Sequence, residues 1–324
     1  MTRDNQTEYS VAIVADGHGS DKYFRSDRGS KFAVEAAKTC IIEFVEEIVG
    51  NSHLKEKFLS ASSSEEIILQ LIKSIVAKWH GLINEDFSAE PFSLEEMNEL
   101  EEKYKERYQK GEHIESAYGS TLIAVMATNE FWLGLHIGDG KCVVVDSSGN
   151  YLQPIPWDDK CFLSVTTSMS DQKVVENFRH KLIADQLPIA TFVASDGIDD
   201  SFSTMDDDKQ LYDFYNNIIR LFCMESIENA EKELSSYLPI LSQKGSKDDI
   251  SLAALLDVAA IKEWQNSLPP PPVANIEDTE PVESNTDADD LPTETAENDQ
   301  LSGEADIEDS SIRVEPADGD SSES

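Results

Sequence analysis

The feature of this sequence that most constrains its fold is a short apolar run joined to a turn that carries an aspartate. This arrangement occurs four times, at Asp16, Asp139, Asp196 and Asp248. The neighbouring runs are rich in Val, Ile, Leu and Ala, as expected of buried β-strands. One Asp-Gly turn beside a strand is common and needs no function. Four of them indicate carboxylates that converge at one end of a β structure.

Converging carboxylates favour a site for hard divalent cations. Carboxylates packed together without a cation repel one another, and their pKa values rise. Mg²⁺ or Mn²⁺ relieves that repulsion, because these ions prefer oxygen ligands and keep several waters. The first turn also carries His18 between two glycines. On this fragment alone, a metal or phosphate site and an ordinary turn are equally good interpretations.

The charge of the chain argues against two classes of partner. Its 324 residues include 64 acidic and 26 basic side chains, for a net charge of −38. From Pro269 onward there are 18 acidic residues and one basic residue, Arg313, so the remainder is acidic as well. An acidic body disfavours binding to nucleic acid or to an anionic membrane surface. We therefore expect neither partner.

The cysteines and the first residues favour a cytoplasmic location. The four cysteines are scattered and show no C-x-x-C spacing, which favours free thiols in a reducing compartment. The first ten residues lack the apolar core of a secretory signal. No apolar run reaches the ~18 residues of a membrane helix.

The hydrophobic periodicity predicts an α+β fold. Strands are expected at residues 11–15, 122–127, 131–137, 141–146, 189–194 and 250–256. Helices are expected at residues 30–50, 65–79, 171–184, 209–223, 227–241 and 259–267. The strands from 122 to 146 are predicted to form one antiparallel meander. Residues 93–110, with interleaved charges, are predicted to be a solvated helix or helical insertion.

The chain divides into a globular part and an acidic tail. We expect one domain over residues 1–266. Residues 267–324 begin with a run of prolines and contain many Asp, Glu, Ser and Thr residues without a hydrophobic period. Such a composition cannot offset the entropy lost on ordering, so the tail is predicted to be disordered.

Five motifs occur in an order and spacing that resemble a known family. They are DGHGS (16–20), GST (119–121), GDGK (138–141), ASDGIDD (194–200) and KDDIS (247–251). Together they resemble the metal-dependent type 2C Ser/Thr protein phosphatases of bacterial type, over residues 11–256. No single motif is decisive, but five in order form a specific signal. The resemblance implies a four-layer α-β-β-α sandwich of two antiparallel sheets flanked by helices.

The resemblance also implies a ligand set for two ions, Mg²⁺ or Mn²⁺. By motif, Asp16 would bridge the two ions and the Gly17 carbonyl would ligate one of them. Asp196 and Asp248 would hold the other ion. Asp139, which stands where the family has GDS, would ligate a weaker third ion shared with Asp196.

The activity implied by the resemblance is hydrolysis of phosphoserine and phosphothreonine in proteins. A metal-activated water would attack phosphorus directly, and His18 would act as general acid; the alternative for His18 is a turn cap. Asp249, where the family usually has Asn, is expected behind the ligands or at the surface; the alternative is that it exchanges roles with Asp248. Asp199 and Asp200 are expected to cap the following helix. The implied partners are phosphoproteins and a cognate Ser/Thr kinase system in signalling. The implied assembly is a monomer.

The sequence departs from the family at its start. The family has one more strand before DGHG, with an acidic metal ligand and, in many members, an upstream arginine for phosphate. We expect either that this strand is missing from the chain or that the enzyme dispenses with that ligand. Arg25 and Arg28 are candidates to bind phosphate instead, or are surface charges. The alternative function is a pseudophosphatase, a phosphoprotein-binding module with an incomplete metal site.

Overall fold

The computed structural model describes residues 9–161, 165–203, 205 and 208–267. The strands are β1 (Tyr9–Val14), β2 (Leu122–Thr128), β3 (Trp132–Ile137), β4 (Lys141–Val145), β5 (Tyr151–Leu152), β6 (Arg179–Ile183), β7 (Ala190–Ala194) and β8 (Leu252–Leu256). The α-helices are α1 (Ser26–Gly50), α2 (Ser52–Leu59), α3 (Ser64–Ala89), α4 (Glu102–Gln109), α5 (Val174–Asn177), α6 (Asp196–Asp199), α7 (Lys209–Met224), α8 (Ile227–Lys244) and α9 (Val258–Ser267). Short 3₁₀ turns lie at Asp21–Tyr23 and Ile114–Tyr118.

The described strands form two four-stranded antiparallel sheets. The first has the order β1-β2-β3-β6 and the second the order β5-β4-β7-β8. Because side chains alternate across a strand, Ala12 and Val14 of β1 point into the space between the sheets, while Val11 and Ile13 pack on the helical side. In the same inter-sheet space, the Trp132 indole nitrogen donates to the Thr191 hydroxyl at 3.0 Å.

Helices cover both outer faces of this sandwich. On the first sheet, the small residues Ala33 and Ala37 of α1 are fully buried in one core with α3, and the Trp79 indole of α3 donates to the Gly29 carbonyl at 2.9 Å. On the second sheet, the Tyr215 ring of α7 stacks on Phe192 of β7, with 4.4 Å between centroids. The predicted four-layer α-β-β-α sandwich is therefore confirmed.

The single helix predicted for residues 171–184 is wrong. Residues 171–184 form the short helix α5 followed by strand β6, not one helix. β6 pairs with β3 at the edge of the first sheet, where Leu182 and Ile183 pack into the cores on opposite faces. Helix α2 was not predicted at all. It begins at Ser52 and is capped by Asn51, whose side chain accepts from the Leu54 amide at 3.1 Å.

The predicted meander from 122 to 146 is also wrong, because the chain changes sheets within it. β2 and β3 belong to the first sheet, whereas β4 belongs to the second. The crossing occurs at Gly138–Asp139–Gly140, one of the four aspartate turns. A strand pattern indicates where strands end but not which sheet receives the next one.

The chain divides into two units, Met1–Pro270 and Pro271–Ser324. Apart from Ser267, which ends α9, the predicted tail lies outside the described residues, so its disorder stays a prediction. Among the described residues, β1 has a single strand neighbour, β2. None of the described helices has the length and apolarity needed to cross a membrane.

Candidate metal centre

The first aspartate turn is held in place by the GST motif. After β1, the Asp16 amide donates to the Thr121 hydroxyl at 3.0 Å, and the Thr121 amide donates to the Asp16 carbonyl at 2.8 Å. The His18 amide donates to the Gly119 carbonyl at 3.2 Å. Hydrogen bonds of the residues on both sides of Gly17 therefore fix the backbone of this turn, and with it the directions of the Asp16 and His18 side chains.

Two glycines are required here by close approach. A Cβ atom on Gly17 would lie 2.8 Å from the Ser26 carbonyl oxygen, at the start of α1. A Cβ atom on Gly119 would lie 2.8 Å from the His18 ring and 2.5 Å from the Tyr23 ring. The glycine of GST therefore makes room for the imidazole, which explains why the two motifs occur together.

Asp139 lies at the point where the chain crosses between the sheets. Gly138 has φ of +110°, and a Cβ there would lie 2.5 Å from the Thr121 side chain. A Cβ on Gly140 would lie 2.4 Å from the carbonyl oxygen of Ala194, two residues before Asp196. The two glycines thus bring Asp139 against both the GST segment and the strand that carries Asp196.

A buried polar network behind this turn was missed by the sequence analysis. The Gly138 amide donates to the Thr167 hydroxyl at 3.0 Å, and that hydroxyl donates to Asp158 at 3.0 Å. Arg179 donates to the Gly138 carbonyl from β6. Thr167 and Asp158 come from a region with no strand or helix period, so periodicity gave no signal for them.

The third and fourth turns are bonded to each other. The Ser195 amide donates to the Ser251 carbonyl at 3.0 Å, and the Ser251 amide donates to the Ser195 hydroxyl at 3.0 Å. A Cβ on Gly197 would lie 2.4 Å from the Asp249 carbonyl oxygen. The ASDG and KDDIS motifs therefore form one unit, which carries Asp196 at the start of α6 and Asp248 before β8.

These turns meet at one cavity of about 610 Å³. Its walls include all of the sequence-predicted metal ligands, Asp16, Gly17, Asp139, Asp196 and Asp248, together with the predicted acid His18. Asp249, Lys22 and Tyr23 also line it. The convergence expected from the strand pattern is thus present, with ligands delivered from both sheets.

The carboxylates in the cavity perturb one another's ionisation. Burial, followed by the charges of Asp196 and Asp248, raises the pKa of Asp16 to about 7. Burial, followed by the charges of Asp139 and Asp248, raises the pKa of Asp196 to about 6. Raised pKa values of this origin are what a cluster of carboxylates shows before a cation compensates its charge.

This donor set fits hard divalent cations by its chemistry. It supplies carboxylate oxygens and one backbone carbonyl, with no thiol or imidazole among the predicted ligands. Within the described residues, however, the structure contains no group of three or more His, Cys, Asp or Glu side chains close enough together to hold a metal ion. The carboxylates surround a space larger than one ion, so waters would complete the coordination, as Mg²⁺ commonly requires.

His18 is enclosed at the edge of the cavity. Its ring lies 4.7 Å from the Tyr23 ring, measured between centroids. Its Nε2 atom is buried and has no hydrogen-bond partner among the described residues. Burial lowers the pKa of His18 and the nearby Lys22 charge adds to this, while Asp139 and Asp171 act in the opposite direction. A buried nitrogen without a partner is unusual and is available to a ligand.

Arg25 and Arg28 are not brought to this cavity. The Arg25 side chain is 1% exposed and bonds to Glu96, Asp86 and Tyr118. Arg28 pairs with Asp86 at 3.1 Å and with Glu90 at 2.7 Å. Arg25 is therefore a buried cation and not a surface charge, whereas Arg28, which is 32% exposed, fits the surface-charge alternative. Both arginines connect the start of α1 to the end of α3.

Asp199, three residues after Asp196, has a partner of its own. Asp199 lies within α6, and its carboxylate is 3.3 Å from the Lys141 ammonium. Burial raises the pKa of Asp199 to about 7, and the Lys141 charge opposes that shift. The lysine of GDGK therefore interacts with the ASDGIDD motif. Asp199 acts inside the fold, and not as the cap of the following helix that its position suggested.

Comparison with known proteins identifies the family. None of the curated proteins compared with the chain matches it. Among solved structures, a bacterial serine phosphatase is 16% identical, with a TM-score of 0.44, over 77% of this chain and 87% of that one. Stp1 of Staphylococcus aureus is 15% identical, with a TM-score of 0.44, over 76% of this chain and 84% of that one.

A third structure, the catalytic domain of PstP in complex with two manganese ions, is 14% identical, with a TM-score of 0.41, over 78% of this chain and 92% of that one. These structural similarities are distant, so they do not carry the assignment of the chain to a family. That assignment rests on the match between the chain's sequence and the sequence model of the family. The family model of protein phosphatase 2C matches residues 2–239, a span that includes Asp16, His18, Asp139 and Asp196. The chain belongs to the protein phosphatase 2C family of metal-dependent Ser/Thr phosphatases.

Proposed function

We propose that the cavity around Asp16 hydrolyses phosphoserine and phosphothreonine in proteins, with two divalent cations, Mg²⁺ or Mn²⁺, as cofactors. The observation that carries this proposal is the meeting of four carboxylates from separate segments in one cavity with His18. The raised pKa values of Asp16 and Asp196 add to it, because unpaired carboxylates in this state gain most from a cation.

The ligand roles that we propose are those implied by the family motifs, and the shared cavity supports them. Asp16 and the Gly17 carbonyl would hold one ion, and Asp16, Asp196 and Asp248 would hold the second. Asp139 would hold a third, weaker ion together with Asp196. When bound, the ions supply Lewis acidity, which activates water as the nucleophile and offsets charge on the phosphoryl oxygens.

In this proposal His18 would donate a proton to the leaving seryl or threonyl oxygen. The ring is positioned by Tyr23 on one face and by the absence of a side chain at Gly119. Its backbone is fixed by the bond to the Gly119 carbonyl. A general acid placed in this way typically contributes ~10²–10⁴-fold to the rate.

The biological setting that we propose follows from family membership and from the cysteines. Family membership supports phosphorylated proteins as substrates and a signalling role, in which a cognate Ser/Thr kinase would add the phosphate. All four cysteines are free, which fits a reducing cytoplasm. We also propose that the chain acts as a monomer, which size-exclusion chromatography with light scattering would test.

The central experiment measures hydrolysis of p-nitrophenyl phosphate and of a phosphoserine peptide with Mn²⁺, with Mg²⁺ and with EDTA. Asp196→Asn should lower kcat/KM at least ~100-fold and weaken Mn²⁺ binding in calorimetry, because it removes a charged ligand. Asp185→Asn, the same change at an exposed position, is the matched control. Metal-independent hydrolysis, or full activity in Asp196→Asn, would reject the mechanism.

The pseudophosphatase alternative is favoured by one observation. Among the described residues, no ready-made group of three ligands is present. If the chain binds Mn²⁺ tightly in calorimetry but hydrolyses neither substrate, the alternative is the correct function. Turnover that depends on Mn²⁺ and on Asp196 excludes it.

A further inference from the structure

A second, smaller cavity adjoins the candidate metal centre. It has a volume of about 240 Å³, and Lys22 and Tyr23 line both cavities. Its far wall comes from α4 and the 3₁₀ turn Ile114–Tyr118, including Tyr104, Arg107 and Glu115. The charged segment 93–110, interpreted from the sequence as a solvated face, therefore contributes side chains beside the candidate site.

Helix α4 is fixed against the turn that carries Lys22. The Tyr108 side chain is buried, and its hydroxyl donates to the Lys22 carbonyl at 3.4 Å. The Tyr108 ring also packs edge-on against Phe24, with 5.7 Å between centroids. Arg107, the residue before Tyr108, is thus presented by an anchored element and not by a free loop.

The acidic side chains of the small cavity already have partners. The Glu115 carboxylate lies 3.2 Å from the His113 imidazole. Asp171 accepts from the Ser168 amide at 2.9 Å and from the Asn177 side chain at 2.8 Å. Neither carboxylate is paired with Lys22 or Arg107, which line the same cavity.

The lysine and the arginine of the same cavity, Lys22 and Arg107, have no such partner. The Lys22 ammonium lies over the Tyr23 ring, 4.4 Å from its centroid. In the part of the chain that the structure describes, neither Lys22 nor Arg107 forms an ion pair or a side-chain hydrogen bond. In a chain with a net charge of −38, two unpaired cations beside one cavity favour an anionic ligand.

We propose that this cavity binds an acidic group of the phosphoprotein substrate, close in sequence to the phosphorylated residue. The group is a carboxylate or a second phosphate, and Arg107 binds it through its planar guanidinium. Lys22, shared between the cavities, faces the anion on one side and the phosphoryl group on the other. The inference rests on the proposed function and adds to it a preference for acidic or multiply phosphorylated sequences.

The test compares phosphoserine peptides that differ only beside the phosphorylated residue. One peptide is neutral, a second carries Glu at the flanking positions, and a third carries a non-hydrolysable phosphonate analogue of phosphoserine there. With Mn²⁺ present, kcat/KM for at least one acidic peptide should exceed that for the neutral peptide by about fivefold or more. Comparison of the Glu peptide with the phosphonate peptide shows whether the cavity binds a carboxylate or a phosphate.

The variants assign this preference to Arg107. Within each variant, the ratio of kcat/KM between acidic and neutral peptides cancels any general loss of activity. The ratio should fall towards one in Arg107→Gln and be partly retained in Arg107→Lys. Arg220→Gln, the same change on the exposed face of α7, should keep it. A ratio of one in the wild-type protein, or an unchanged ratio in Arg107→Gln, would overturn the inference.

Binding separates this inference from the proposed function. If the wild-type protein hydrolyses no peptide, the proposed function fails, and fluorescence anisotropy with the same labelled peptides then decides the subsite. Tighter binding of an acidic peptide that is lost in Arg107→Gln supports it. Equal binding of all three peptides, or a preference that Arg107→Gln keeps, contradicts it.

Discussion

The guanidinium of Arg25 holds the carboxylate of Glu96 through two parallel contacts. Nε lies 2.7 Å from Oε1, and Nη2 lies 3.1 Å from Oε2. The Glu96 carboxylate also accepts from the Ser93 amide at 2.8 Å. This pair of contacts, called here the Arg25–Glu96 fork, joins the residue before α1 to the turn that leads towards α4. The wall of the small cavity is therefore connected to the segment that follows His18.

Glu96→Gln should remove a pH-dependent part of the stability. The hydrogen bond from Arg25 is the main cause that lowers the pKa of Glu96 from 4.5 to about 2. Because the folded-state pKa is the lower one, this stabilisation is complete above about pH 4.5 and is lost as the pH falls towards about 2. From about pH 5 to about pH 3, the free energy of unfolding should fall by about 2 kcal/mol more in the wild-type protein than in Glu96→Gln.

Urea denaturation across that pH range measures this difference. Glu95→Gln removes a neighbouring charge whose side chain is exposed, so its curve should follow that of the wild-type protein. Parallel wild-type and Glu96→Gln curves would show that the fork contributes nothing to acid stability.

Arg25→Gln should be far more damaging than Arg28→Gln. The first variant leaves Glu96 and Asp86 without their buried cation, which typically costs about 3 kcal/mol or more. Arg28 is 32% exposed, and exposed ion pairs contribute about 1 kcal/mol or less. Urea denaturation measures both, and Arg25→Lys, which keeps the charge without the fork, should lie between them. Equal losses in the two glutamine variants would contradict the buried role.

The sequence predicted the positions of the aspartates better than the connections between them. Asp16, Asp139 and Asp196 follow strands whose apolar composition is unmistakable, so their convergence could be expected. β6 could not be recognised, because Arg179, His180 and Lys181 interrupt its apolar alternation, and pairing with β3 decides its conformation. The partners of Arg25 could not be read either, because Asp86 and Glu96 are 61 and 71 residues away.

Gly138→Ala should distort the crossing between the sheets. The residue has φ of +110°, and an added Cβ would lie 2.5 Å from the Thr121 side chain. Such strain costs about 1–3 kcal/mol, so the Tm should fall, and hydrolysis should weaken as Asp139 moves. Gly19→Ala, which adds a Cβ with nothing within 4 Å, should leave the Tm within error. A Gly138→Ala protein with the wild-type Tm would disprove the strain argument.

Asp16→Asn should stabilise the metal-free protein. In the metal-free wild-type protein, the pKa of Asp16 is raised to about 7 from an ordinary value of 3.8. The free energy of unfolding of that protein therefore falls as the pH rises from about 4 to about 7. At pH 8 the neutral amide avoids this cost, so the free energy of unfolding should increase by about 1 kcal/mol or more. Mn²⁺ should then raise the Tm of the wild-type protein but not that of the variant.

Thermal unfolding with EDTA and with Mn²⁺ checks both parts of this expectation. Asp185→Asn should behave like the wild-type protein in each condition, because its side chain is exposed. A metal-free Asp16→Asn protein less stable than the wild type would mean that the carboxylates do not repel one another as their positions indicate.

The two sheets supply different ligands to one site, since Asp16 follows a strand of the first sheet and Asp196 follows a strand of the second. An ion held by both carboxylates would cross-link the halves of the sandwich at the edge of their shared core. Sliding of one sheet over the other would then require the ion to leave. The folded lifetime of the chain would depend on the supply of Mn²⁺ or Mg²⁺, and slower amide exchange in β1 and β7 with metal present would make that dependence visible.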